Sequence, residues 1–310
     1  MTGNDEVDTA KPPCADPVIW NQWHVISALD EIAVGVVNET LLLDERISFT
    51  SNPDGEYRAW RSSPDLPAGA EIDGSAPLNG AEPLPLKPEY GYLWASLGEP
   101  PDELFPLPEY HHRSRRNMNA GSVGVATSAP RAVENFLDLA HFPYVHEGSL
   151  GVQPHTEVVE YDVEVRDGEV HASKCDMLVP KVGVNFDAPM VMRYRYRVPH
   201  PYCVMLFYDS LPDPSQEDIC AIWVQPMSAD RVRAHNYMGV IDDTSTNTEI
   251  KAYQLLIFAQ DKPILENQHP KRLPLDPRAE TPVRADRSAI AYRRWLADLG
   301  VTYGVIPVSG

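Results

Sequence analysis

Residues 134–151 read ENFLDLAHFPYVHEGSLG, and both the fold and the chemistry turn on this stretch. Its spacing predicts a helix over 132–140, with Val133, Phe136, Leu137 and Ala140 on the apolar side. Asn135, Asp138 and His141 recur every three residues, so on that helix they form one polar stripe. His146 follows His141 by five positions. In a regular helix such a pair diverges by about 140°, since each residue turns roughly 100°, and two imidazoles so placed cannot share one ion. Pro143 lies between them, however, and disrupts regular helical hydrogen bonding. An irregular turn there would bring both rings to one side. Two histidines and a carboxylate from elsewhere then make the facial triad that suits non-haem Fe(II) and leaves positions open for dioxygen. Spacing alone equally allows two half-buried histidines that only flank a helix end.

Beyond this stretch, β-patterned runs at 157–166, 169–178, 191–198, 202–208, 220–225 and 231–240 are separated by turn signals such as Asp167-Gly168 and Ala229-Asp230. Sequential strands with short turns imply an antiparallel meander. Residues 246–267 predict a long helix with Tyr253, Leu256, Ile257 and Phe258 on its apolar side, and 285–299 a further helix. Before it, short β-like runs at 36–43, 46–50, 56–60 and 90–97 flank an irregular connection, 61–88, with six prolines and three glycines. Residues 110–119 read as a polar run. The expected fold class is α+β in three parts: a flexible tail (1–16), a small β-rich region (17–118), and an antiparallel sheet with helices packed on it (119–310).

The 310 residues are 43% hydrophobic and 23% charged, an ordinary globular balance. Lys and Arg total 26 against 45 Asp and Glu, a net charge of −19, which argues against nucleic acid or an anionic membrane as partner. No run approaches the roughly 20 apolar residues of a membrane span, and residues 1–16 have neither basic nor apolar signal-peptide regions. Cys14, Cys175, Cys203 and Cys220 lie far apart without a C-x-x-C, so reduced thiols in a cytoplasmic protein are expected. The last three read as small core residues, and Trp20, Trp23 and Trp295 as packing anchors.

The D-x-x-H-x-x-x-x-H within residues 134–151 closely resembles the iron motif of the oxygenase component of the Rieske non-haem iron oxygenases. The resemblance extends over nearly the whole chain, including DPVIWNQWH (16–24), EYGYLWASLGEPP (89–101) and FAQDKPILENQ (258–268). It implies a helix-grip catalytic domain, a sheet wrapped around the long C-terminal helix. It also implies mononuclear Fe(II) held by His141, His146 and, as third ligand, Asp261. Asp138 becomes the carboxylate that orients a histidine ligand and bridges to a cluster on a neighbouring polypeptide, with helix solubility the alternative. Asn135, one turn earlier on the same stripe, is a candidate to adjust the iron site, with structural hydrogen bonding the equal alternative. On the helix carrying Asp261, Phe258, Ile257 and Gln254 lie three, four and seven positions earlier and share its face. They are the candidate substrate contacts, with core packing the alternative for Ile257 and Phe258. His235 and Asn236 are further candidates, although alternation does not say which way they face.

One departure outweighs the matches. The family's N-terminal domain binds a [2Fe–2S] cluster through C-x-H and C-x-x-H, and neither motif occurs in the chain. Region 17–118 is therefore expected to be a degenerate, cluster-less Rieske-like domain. With PKRLPL (270–275) and PVRAD…AYRRWL (282–296), the combination resembles the cluster-less oxygenase subunits that N-demethylate methylxanthines in bacterial caffeine degradation. The resemblance implies a monooxygenase that N-demethylates a methylxanthine-like heterocycle, 7-methylxanthine first, using O₂ and releasing formaldehyde. Electrons would come from NAD(P)H through a separate Rieske-domain-bearing reductase, in a homotrimer or hetero-oligomer. The alternatives are a non-catalytic structural subunit of such a complex, an O-demethylase or ring hydroxylase of another aromatic substrate, and a metal-dependent hydrolase using a metal-bound water.

Overall fold

A computed structural model describes residues 14–72, 81–181, 184, 188–241 and 244–308. Residues 1–13 of the expected tail lie outside the described residues, as do 73–80 of the expected connection. The first helix, α1 (Pro17–Trp20), is capped by Asp16, which is buried. One carboxylate oxygen of Asp16 accepts from the N–H groups of Val18 and Ile19 at 2.9 and 3.0 Å. The other accepts from Thr302 and Tyr303. This single side chain ties the two ends of the chain together.

Six strands follow: β1 (His24–Ala28), β2 (Asn38–Leu42), β3 (Glu45–Ser51), β4 (Tyr57–Arg61), β5 (Leu86–Glu89) and β6 (Tyr92–Ala95). They form two antiparallel sheets, ordered β1-β6-β5 and β2-β3-β4. The next seven strands are β7 (Arg116–Val125), β8 (Asp162–Arg166), β9 (Glu169–Val179), β10 (Met190–His200), β11 (Cys203–Asp209), β12 (Glu217–Ser228) and β13 (Arg231–Val240). They make one seven-stranded sheet, ordered β7-β13-β12-β11-β10-β9-β8. From β8 to β13 each strand pairs with the next in sequence, the meander that the turn spacing predicts. A short parallel pair, β14 (Leu273–Pro274) with β15 (Val305–Ile306), lies near the C-terminus.

The alternation along β10 shows how sequence sets the two faces. Met192, Tyr194, Tyr196 and Val198 point inward and are buried. Between them Arg193, Arg195 and Arg197 point outward, onto Asp176 and Glu169 of the adjacent β9 and Glu217 of β12, one strand beyond β11. Strand β7 overturns the polar run expected at 110–119. Met118, Ala120 and Val125 are its buried positions, and intervening Asn, Gly and Ser residues dilute the period-2 signal. Of the strand expected over 157–166, only Asp162–Arg166 forms.

Four helices complete the fold: α2 (Ala129–Leu137), α3 (Phe142–Val145), α4 (Asn247–Asn267) and α5 (Arg287–Leu299). α4 runs along β7 and α2, and α5 covers β8 and β9. Thr246 caps α4 in a reciprocal pair with Glu249. α5 ends at Gly300, whose φ of +79° is a left-handed conformation suited to glycine. No described helix is long and apolar enough to cross a membrane.

Candidate metal centre

The helix expected over 132–140 stops early, and this corrects the reading of the polar stripe. α2 begins at the Ser128 cap and ends at Leu137, leaving Asp138 as an extended C-cap residue (φ −81°, ψ 114°). Asn135, Asp138 and His141 therefore do not share one helix. Asp138 folds its Oδ1 onto the Ala140 N–H at 2.7 Å, a local bond that competes with helix continuation. Pro143 does not break a helix either. It lies in the first turn of α3, where its missing N–H costs nothing. His141 and His146 are the residues that flank this single turn, and the turn folds them back on each other.

Their Nε2 atoms lie 3.0 Å apart. Asp261 projects from α4 to meet both: its Oδ1 is 3.3 Å from His141 Nε2 and 3.1 Å from His146 Nε2. Among the described residues these three form the one cluster of His, Cys or acidic groups able to hold a metal ion. Donors about 2.1 Å from an ion and at right angles to one another are separated by about 3.0 Å, against about 3.4 Å at tetrahedral angles. The observed edges of 3.0, 3.1 and 3.3 Å span these two values, so the three donors are close enough to share one ion. Two imidazoles and a carboxylate, without a thiolate, also suit Fe(II) in donor type.

Each of the three side chains has its own outer partner, and the partners differ. Asn135 Nδ2 donates to Asp261 Oδ1 at 3.1 Å. His146 Nδ1 lies 2.8 Å from Gln260 Oε1. His141 Nδ1 has Asp138 Oδ2 at 3.4 Å, close enough for charge attraction but without a formed hydrogen bond. Burial by itself would lower the His141 pKa, but the Asp138 and Asp261 carboxylates outweigh it and hold the imidazole up at about 9. Burial would likewise raise Asp261, yet the two histidines keep its carboxyl down at about 2. A divalent cation would meet a ready anion here and displace protons from the imidazoles.

The triad opens into a cavity of about 150 Å³. A cavity of that order, lined by apolar side chains, accepts one small aromatic ring. Phe136, Phe142, Tyr194 and Tyr196 form an aromatic wall, and Gln254, Ile257 and Phe258 line it from α4. All three α4 candidates thus face the same space as Asp261. His235 and Asn236 do not. His235 contacts Ser122 and Gln225 at 2.8 and 3.1 Å, and Asn236 donates to the Gly121 carbonyl, outside the cavity. Cys175, Cys203 and Cys220 are buried, and Cys220 lines the cavity. Trp23 and Trp295 are buried anchors that donate to the Pro101 and Gly168 carbonyls, whereas Trp20 is only partly buried, with Arg61 over its ring.

Two features escape the sequence reading. Gln260 is the first, because neighbours on a helix point about 100° apart and only the placement of His146 brings both 260 and 261 to one ring. The second is a groove on the far side of the triad. Asn135 and His141 border it as well as the cavity, together with Asp138, Glu280, Asp286 and Arg293. Asn135 and His141 therefore form the wall between the cavity and the groove.

Comparison with known proteins gives the family. The family model for the vanillate O-demethylase oxygenase C-terminal domain matches residues 125–301. NdmC of Pseudomonas sp. (strain TJI-51), described as a probable methylxanthine N7-demethylase, is 40% identical over 286 residues, covering 92% of this chain and 95% of its own. The solved structure of Pseudomonas putida CBB5 NdmA with caffeine superposes with a TM-score of 0.74 at 19% identity, over 90% of each chain. Dicamba monooxygenase bound to 3,6-dichlorosalicylic acid gives 0.73 at 18% identity, over 92% of this chain and 98% of its own. A strand-rich fold with a buried His-His-Asp face is the architecture of a mononuclear non-haem iron oxygenase. The chain belongs to the Rieske non-haem iron oxygenase family, with a catalytic domain of the vanillate O-demethylase type, and is an oxygenase enzyme.

Proposed function

We propose that the chain is the oxygenase subunit of a multicomponent monooxygenase that removes an N-methyl group from a methylxanthine-like heterocycle, with 7-methylxanthine the first candidate. The observation that carries this reading is the ring-sized aromatic cavity that the His141, His146 and Asp261 donors and the Gln254 amide all line. The 40% identity to a described methylxanthine N7-demethylase supports the substrate class.

In this reading residues 119–310 are a helix-grip domain, α4 being the gripped helix, and 17–118 a Rieske-like domain without a cluster. His141, His146 and Asp261 hold Fe(II), which when bound supplies dioxygen activation and oxidation of the methyl C–H. Overall, R₂N–CH₃, O₂, two electrons and two protons give R₂N–H, formaldehyde and water. The protein's own part is positional. Ile257, Phe258 and Phe136 exclude water and flank a flat ring, while the Gln254 amide reads its polar edge. Asn135 fixes the orientation of the Asp261 carboxylate. Asp138, in the outer groove, orients His141 and gives an approaching donor a path to it.

Because the chain contains neither cluster-binding motif, the electrons come from NAD(P)H through a partner reductase whose Rieske domain docks at that groove. The assembly is a homotrimer or hetero-oligomer in the cytoplasm, where the four free thiols persist. The test is a panel of methylxanthines incubated with the iron-loaded chain, a separately supplied Rieske reductase, NADH and O₂. Formaldehyde and one N-demethylated product are expected. No turnover of any methylxanthine, or turnover with NADH and no second protein, would sink the reading.

A further inference from the structure

We propose that Gln260 is a positioning residue for the metal: its carboxamide oxygen fixes His146 as the Nδ1–H tautomer and so presents a bare Nε2 to the ion. The inference rests on the metal-centre reading above and adds to it the device that sets which nitrogen of one ligand is turned to the ion.

The geometry is unusual in that one helix addresses both nitrogens of one imidazole. Gln260 Oε1 lies 2.8 Å from His146 Nδ1, and Asp261 Oδ1 lies 3.1 Å from His146 Nε2. His146 is 1% exposed, so water has little access to replace either contact. A neutral imidazole carries one proton, and the nitrogen bearing it cannot bind a metal. An amide oxygen at Nδ1 accepts that proton and leaves the Nε2 lone pair free. An amide turned end for end would offer N–H to Nδ1 and force the proton onto Nε2, where it blocks the ion. The orientation of Gln260 and the metal competence of His146 are thus one variable.

The contrast with His141 sharpens the role. There the outer partner is the anionic Asp138, at 3.4 Å and without a formed bond, on the groove side. At His146 the partner is a neutral amide in a short bond. A neutral acceptor orients the ring without adding another negative charge to a centre that already contains Asp261. The structure therefore assigns the two histidines different duties: His146 is the fixed ligand, and His141 the one exposed to whatever binds outside.

The test compares wild-type protein with Gln260→Leu, which removes the acceptor at similar volume, and Gln260→Glu, which keeps it. In the metal-free protein, ¹⁵N-histidine NMR reads the His146 tautomer, and anaerobic chelator competition reads Fe(II) affinity. In the metal-free site, where Nε2 also faces the Asp261 carboxylate, wild type and Gln260→Glu should show a proton on Nδ1. Gln260→Leu should shift towards Nε2–H and lose Fe(II) affinity by about 10–100-fold, with an unchanged circular dichroism spectrum. If Gln260→Leu fails to fold, the Gln260→Ala variant replaces it, with the same expected tautomer shift. An unchanged tautomer or unchanged affinity in the variant that lacks the acceptor overturns the proposal. Wild-type protein that binds no Fe(II) overturns the metal-centre reading instead, and the tautomer measurement still decides on Gln260.

Discussion

Asn135 Nδ2 donates to Asp261 Oδ1 at 3.1 Å, and this one bond ties α2 to α4 across the metal centre. The residues are 126 positions apart, and the oxygen involved is the one that faces both histidines. The bond fixes the carboxylate's rotation, which neither helix could fix alone. Replacing Asn135 by Ala should leave the fold intact and cost about 1 kcal/mol or less of stability. Iron affinity should fall by about 10-fold or more, as for other partners of metal ligands. Fe(II) titration of the variant checks this, and wild-type affinity would make Asn135 a packing residue.

His141→Ala, His146→Ala and Asp261→Ala should each abolish stoichiometric iron and turnover. Metal analysis after anaerobic loading is the measurement. The wild-type chain should hold about one iron without the absorption bands of a [2Fe–2S] cluster, since both cluster motifs are missing. Full iron in Asp261→Ala would mean that another carboxylate is the third ligand.

Asp138 faces the outer groove and makes no formed hydrogen bond to His141. Asp138→Asn should therefore keep most of the iron, with affinity weakened by about 10-fold or more, while donor-dependent turnover falls much further. Iron content and reductase-driven rate should be compared in the same preparation. Equal losses would make Asp138 purely a metal-positioning group.

A buried ionic cluster holds the outer wall of the site. Arg293 pairs with Glu134 at 2.6 Å and with Glu280, and Arg131 pairs with Glu134 at 3.0 Å and Glu280 at 2.6 Å. Arg131 is fully buried, and the Glu134 side chain is 10% exposed. Glu134→Ala leaves two arginines sharing one carboxylate and should cost about 3 kcal/mol. Chemical denaturation would show it as a lower midpoint at unchanged slope, and a midpoint equal to wild type would refute it.

Stability should also fall on the acid side of neutrality. Burial depresses the pKa of His24 to about 4 and of His235 to about 3, and carries His200 well below its usual value. Their unfolded value is about 6.5. Folded-state pKa values below the unfolded value mean that the unfolded chain binds more protons as pH falls. Their contribution is full above pH 6.5 and is lost progressively towards pH 4 and below. Urea midpoints measured from pH 7.5 to 4 should decline below 6.5, and a flat profile down to pH 4 would show that these rings are not buried neutral.

The order of strands and helices was legible in the chain because it depends on local patterning. Alternation along β10 and the turn pairs between strands specify the meander, and the run 246–267 specifies α4, although of its expected apolar side Ile257 and Phe258 are buried while Leu256 is 55% exposed. Strand β7 was hidden because its Asn, Gly and Ser positions blur the alternation that would mark it. The helix expected to run through Asp138 shows the opposite error. Apolar spacing continued past Leu137, but the Asp138 side chain took the Ala140 N–H and ended the helix there.

The two histidines, the carboxylates and their types are properties of the sequence, and so is the absence of the cluster motifs. What the tertiary structure decided is which atoms meet. Folding of one turn around Pro143 brings the His141 and His146 nitrogens to 3.0 Å, and α4 arrives from more than a hundred residues away to add Asp261. The same packing puts Gln260 on His146, Asn135 on Asp261, and His141 between the aromatic cavity and the groove on its other side. Residue type is a local property of the chain. Donor geometry and the choice of partner for each ligand arise only from contacts between segments distant in sequence, which no local pattern encodes.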